Sequence, residues 1–158
     1  MKGARGFRLD LTRGTRAWIP ARTRMSDWAA AALGRRGHDR EVAVRVVARA
    51  ESRKLNKLWR GKDKPTNVLS FPAPDTQRRG RPRDVKAPLG DLVICADVVR
   101  REAELHGKAL LAHWAHMVIH GTLHLAGYDH ERSERERQRM ERREIAVLKS
   151  LGFRNPYT

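Results

Sequence analysis

Residues 120–130 read His120-Gly121-Thr122-Leu123-His124-Leu125-Ala126-Gly127-Tyr128-Asp129-His130, with three imidazoles in one short stretch. If residues 110–126 are helical, positions four apart share a face with Cβ atoms about 5–6 Å apart, close enough for His120 and His124 to hold one ion. Gly127 falls where helices commonly stop in a left-handed turn, which can swing His130 back toward that face. Three neutral nitrogen ligands without an evident fourth is the ligand count of a catalytic zinc site, in which water or substrate takes the open place. A structural zinc site would close with another Cys or His. The stretch therefore predicts a helix that ends in a metal centre, with His120, His124 and His130 as ligands. Because the same helix carries Leu110, Leu111, Trp114, Met117, Val118, Ile119, Leu123 and Leu125, it is apolar nearly all round and must be central to the fold.

Upstream, His116 and His113 continue the series. A straight helix cannot wrap His116, His120 and His124 around one ion, so His116 is read as a catalytic-site group behind a ligand or on the substrate side. His113 is read as packed beside the sheet. A metalloprotease helix of the H-E-x-x-H type has its general base directly after the first histidine. Here that position is Gly121, so a peptidase reading loses its base. Asp129, next to the third histidine, is expected to orient a ligand imidazole.

The histidine string resembles the signature of the YbeY family, bacterial metal-dependent endoribonucleases of ribosomal RNA maturation. A second block, Trp59-Arg60-Gly61-Lys62-Asp63-Lys64-Pro65-Thr66-Asn67-Val68-Leu69-Ser70-Phe71-Pro72, and a third, Leu89-Gly90-Asp91-Leu92-Val93-Ile94, extend the resemblance over residues 40–152. Asn67 stands where many members carry aspartate, and Trp59 where a tyrosine is common. The resemblance implies a single-strand-specific endoribonuclease that acts on the ends of small-subunit ribosomal RNA and on defective ribosomes; imidazole ligands suit zinc, nickel, copper and iron alike, and Zn2+ is the divalent ion expected first. The resemblance also places Arg60 on the arginine that the family keeps beside its metal site, and a guanidinium fork suits phosphate oxygens. Asn67 and Ser70 are candidates for contact with substrate or for supporting hydrogen bonds. The rival reading is a non-catalytic ribosome assembly factor whose metal is structural.

The chain has 158 residues, 34 Lys and Arg against 18 Asp and Glu, and a formal charge of +16, a field that favours polyanions and makes nucleic acid the expected partner. A general bias toward arginine accounts for part of that excess. One domain over residues 1–158 is expected at this length. No stretch approaches the roughly 18–20 apolar residues needed to span a bilayer, and the basic start lacks an apolar signal core, so a cytoplasmic location is expected. The single Cys95 excludes an internal disulfide framework and reads as core filling.

Residues 7–12 alternate apolar and polar, as in an outer strand with one buried face. Ser26 is expected to cap a short helix that Gly34 ends and Trp28 anchors. Residues 41–48 are rich in valine and read as a strand, and 50–59 as a helix with Leu55, Leu58 and Trp59 at helical spacing. Residues 66–71 and 89–96 should pair antiparallel across 75–86, a basic segment broken by Gly and Pro that reads as a mobile loop. Asp97 is expected to cap the next helix, and Ser133 with Glu136 to form a capping box at the last one. The predicted fold is α+β: a small mixed four-stranded sheet covered by about five helices.

Overall fold

In the computed structural model, residues 4–74 and 87–158 are described, so the expected basic loop at 75–86 lies outside the described residues. The elements run β1 (Arg8–Arg13), α1 (Arg22–Leu33), a 3-10 turn (Gly34–Gly37), β2 (Arg40–Val47), α2 (Arg49–Arg60), β3 (Val68–Pro72), β4 (Ala87–Cys95), α3 (Ala96–Leu105), α4 (Leu110–Leu125) and α5 (Glu134–Ser150). The sheet order is β1-β2-β4-β3. β1, β2 and β4 are parallel, and β3 returns antiparallel along β4, so the sheet is mixed as expected.

Strand periodicity sets what each face of the sheet meets. Val42, Val44 and Val46 alternate along β2, as Leu92 and Ile94 do along β4, and all five are buried in the main core. The intervening Val93 and Cys95 join Val47 and Leu69 in a smaller cluster on the other face. Cys95 is thus core filling. α4 is the hub, touching α1, α3, α5, β3 and β4. Its Trp114, Ile119 and Leu123 are fully buried, each contributing about 1.5–3 kcal/mol in transfer terms.

Local starts differ from expectation in two places. α1 begins at Arg22 after extended Ala21, with Ser26 in the helix interior and no side-chain cap. Beginning there buries Met25 beside Trp28, a gain that one capping bond at Ser26 could not match. Asp97 lies in the first turn of α3 rather than at its cap, where the positive helix end and the guanidiniums of Arg100 and Arg49 hold its carboxylate. The expected cap of α5 is present, Ser133 accepting a bond from the Glu136 amide at 3.2 Å. On α2 the buried residues are Ser52 and Asn56, Leu55 packs half-buried against the smaller cluster, and Leu58 and Trp59 are 69% and 64% exposed. Asn56 and Ser52 tie down the 64–66 segment through the Lys64 and Thr66 carbonyls, at 2.8 and 3.0 Å.

Candidate metal centre

The sequence after α4 folds by a specific hydrogen-bond pattern. Gly127, with φ 99°, donates to the His124 carbonyl at 3.0 Å, and Tyr128 donates to that of Leu123 at 3.0 Å. This is the paired closure that a left-handed residue just past a helix end permits. The Tyr128 ring lies under the Arg139 guanidinium at 4.7 Å and near that of Arg36 at 5.7 Å, which pins the turn to α5 and to the 3-10 segment. Chain reversal then carries His130 back over α4.

The result is a cluster of three imidazoles. His120, His124 and His130 each offer a ligand atom within 4.8 Å of the others. His130 Nδ1 lies 2.8 Å from His124 Nε2, and the three ring centroids are 4.7–5.2 Å apart. Burial, then the neighbouring His120 and His130, push the pKa of His124 down to about 4. Burial and His120 lower that of His130 as well. Both are therefore neutral near pH 7, the form in which imidazole binds a cation. Converging neutral imidazoles, each with one ring nitrogen free of hydrogen, are a donor set suited to one divalent ion, and no acid or thiol of the described residues joins this group.

The cluster opens onto a cleft of about 660 Å³ between α2, β3 and the turn after α4. Arg60 comes from its opposite wall, at the end of α2 where Gly61 takes a left-handed φ of 70°. Its Nη2 donates to Glu131 Oε1 at 2.6 Å, and that carboxylate also lies 3.8 Å from His130 Nε2. A glutamate thus spans the gap between guanidinium and imidazole. Both partners of the ion pair are over one-third exposed, so an incoming anion can replace the carboxylate at little cost.

The remaining expected site residues are placed as follows. Asn67 and Ser70 line the cleft, but their polar atoms are taken by the protein. Asn67 Nδ2 donates to Glu102 at 3.1 Å and its Oδ1 accepts from Val68, while Ser70 donates to the Gly121 carbonyl at 3.1 Å. Asp129 lines the cleft too, closing the turn by accepting from the Glu131 amide at 2.8 Å and pairing with Arg132, and its charge acts on His124 and His130 from nearby. His116 does not reach the cleft. One turn back along α4, it is 7% exposed and faces α5, so direct contact with a substrate there is closed to it.

Glu144 was not singled out from the sequence. It is fully buried on α5, with Oε1 2.5 Å from His120 Nδ1 and 3.4 Å from His116 Nε2, and Oε2 accepting from the Tyr157 hydroxyl at 2.5 Å. Burial alone would raise its pKa, but the hydrogen bonds from His116 and His120 more than offset this and hold the carboxyl well below the usual range. One signal was available: Glu144 falls within the inner stripe of α5, four residues after Met140 and three before Val147, where an apolar residue is the default.

The family model for the endoribonuclease YbeY matches residues 18–152. A Methylococcus capsulatus protein named endoribonuclease YbeY is 52% identical over 149 residues, covering 94% of each chain. One from Stenotrophomonas maltophilia with the same name is 51% identical over 143 residues, covering 90% of this chain and 87% of its own. A Thermotoga maritima protein solved in solution superposes with a TM-score of 0.51 at 24% identity, over 90% of this chain and 91% of that one, and so shares its fold.

Proposed function

Because the chain belongs to the endoribonuclease YbeY family, we propose that its cleft cuts single-stranded RNA with His120, His124 and His130 holding one divalent ion. The observation that carries this is the convergence of the three imidazoles on an open cleft opposite Arg60. Zn2+ is the ion we assign, from the all-nitrogen ligand set and the place left for substrate. A bound ion there supplies Lewis acidity toward a phosphoryl oxygen and toward water.

The chain's own residues do the rest. Arg60 gives up Glu131 and turns its donor fork to the phosphate oxygens, where it offsets charge that develops on phosphorus. Ser70 and Asn67 hold β3 and the cleft floor in place through their bonds to Gly121 and Glu102. Asp129 keeps the turn that presents His130. A single strand fits such a cleft because its nucleotides can be splayed, whereas an A-form duplex offers mostly backbone and shape. The charge of +16 supplies affinity for the polyanion. The substrate we assign is ribosomal RNA, at the ends of the small-subunit species, with the ribosome as partner and the cytoplasm as location. Among the described residues no helix is long and apolar enough to cross a membrane.

The test is metal analysis of the purified protein together with cleavage of a single-stranded RNA before and after chelation. We expect about one ion per chain, and cutting that stops on chelation and returns with Zn2+. Full activity in the chelated protein would overturn the proposal. With Arg60→Ala we expect near-normal RNA binding and cleavage slowed about 100-fold or more, the scale of losing one donor to a transition-state anion. Deoxyribose at the cut site separates the possible nucleophiles: cleavage stops if the neighbouring 2′-hydroxyl attacks and continues if water does.

A further inference from the structure

Behind His120, on the side away from the cleft, lies a polar cluster built around a buried carboxylate. Glu144 is fully buried in the core, and the three groups that touch it come from two other parts of the chain: His116 and His120 from α4, and Tyr157 from the segment after α5. Tyr157 reaches it because its segment is tied to the start of α4, where the Lys108 ammonium donates to the Pro156 carbonyl. The ring of Tyr157 then packs edge-on against His116 with centroids 5.5 Å apart.

A carboxylate accepts through both oxygens, and Oε1 lies 2.5 Å from His120 Nδ1, a distance that calls for a shared hydrogen. His120 therefore carries its proton on Nδ1, and its Nε2 lone pair is the one left for the cleft. Burial, reinforced by the bond to Glu144, keeps Tyr157 protonated far above the ordinary tyrosine range, so it is a permanent donor. His116 can supply a third hydrogen from Nε2 at 3.4 Å.

We propose that Glu144 is a positioning residue for the metal centre, fixing the tautomer and ring orientation of His120, and that Tyr157 is the latch that holds the Glu144 carboxylate in register. On this account His116 acts through Glu144 and not on substrate. A carboxylate on the far nitrogen of a ligand imidazole also makes the near nitrogen a stronger donor, and losing such a partner typically costs about 10- to 100-fold in metal affinity. The inference rests on His120 being a ligand, as proposed above.

The experiment measures Zn2+ affinity by chelator competition in the full chain for wild type, Glu144→Gln, Tyr157→Phe and His124→Ala, with nitrogen-15 shifts of His120 read in the metal-free proteins. We expect Glu144→Gln to bind about 10- to 100-fold more weakly and Tyr157→Phe to weaken in the same direction by a smaller factor. We also expect His120 to change from a single Nδ1–H tautomer in wild type to a mixture in Glu144→Gln. A role confined to core stability would leave that tautomer pattern unmoved. If Glu144→Gln does not fold, Tyr157→Phe, which removes one oxygen, decides. Wild-type affinity and an unchanged His120 tautomer in the variants that fold would overturn the inference. Wild-type affinity in His124→Ala would instead overturn the ligand assignment, whatever Glu144 does.

Discussion

Two of the α4 histidines that meet carboxylates, His113 and His120, have different fates. Near its start, His113 Nε2 meets Glu102 Oε1 at 2.9 Å, and Asn67 bonds the same carboxylate. Near its end, His120 Nδ1 meets Glu144 at 2.5 Å. The difference is on the other ring nitrogen. His113 Nδ1 is buried without a hydrogen-bond partner in the structure, whereas His120 turns its second nitrogen toward His124 and His130 at the cleft. A carboxylate–imidazole pair is therefore not enough to make a metal site. The group that could hold an ion forms where the helix ends and the chain reverses, which is what Gly127 allows.

The largest expected contrast comes from deleting each ring. His120→Ala should lose the bound ion and bring RNA cleavage to background. His113→Ala should retain both, losing about 1–3 kcal/mol in thermal or urea unfolding because Glu102 keeps only part of its hydrogen bonding. Metal loss in His113→Ala would break the comparison.

Next in size is the packing that sets α4 against the sheet. A Cβ on Gly121 would come within 2.8 Å of Leu92 Cδ2 and 3.1 Å of Val68 Cγ2, so Gly121→Ala should cost about 1–3 kcal/mol by overpacking and displace His120 with it. Gly127→Ala meets nothing within 4 Å, and its cost is that of a left-handed backbone alone, about 1–2 kcal/mol. Unfolding measured alongside Zn2+ affinity separates the two, since only the first should lower affinity in proportion to its effect on packing.

Both carboxyls are lowered on folding, and Glu102 is the one that can be tested without touching the cleft. Burial raises the pKa of Glu102, but His113 and Asn67 outweigh it, so the carboxyl sits below its ordinary 4.5. A group lowered on folding stabilises above its unfolded value, and that contribution disappears as pH falls through the lower folded value. Stability of the wild type should thus drop below about pH 4.5, and Glu102→Gln should flatten that part of the curve. An identical acid limb in the variant would remove Glu102 from the account. The smallest effect is expected at the cleft mouth. Glu131→Gln frees Arg60 from an exposed ion pair of the kind worth about 0.2–1 kcal/mol, so RNA affinity should rise by no more than about fivefold.

What the sequence revealed follows the range of each interaction. The spacing of His120 and His124, the stop at Gly127 and the return of His130 are local, and a helix with a glycine after it is enough to read them. The valines of β2 and the apolar run of β4 were equally legible, because strand and helix periods are short. Glu144 meets His120 across 24 positions and Tyr157 meets His116 across 41, and no period connects such pairs. Asp129 was the nearest acid in sequence and so drew the role of orienting a ligand, but the acid beside His120 in space belongs to another helix. The helical spacing of Leu55, Leu58 and Trp59 made α2 legible, but not which face turns inward, since Ser52 and Asn56 are buried there to anchor the 64–66 segment.

The close seat of Gly121 has one more consequence, for the chemistry. The position directly after the first histidine, which in a helical metallopeptidase holds the proton acceptor, is here wedged against Leu92, Val68 and Ser70 with no volume for even a methyl group. A proton acceptor placed there would require the Leu92 and Val68 side chains to give way, at no less than the packing cost expected for Gly121→Ala.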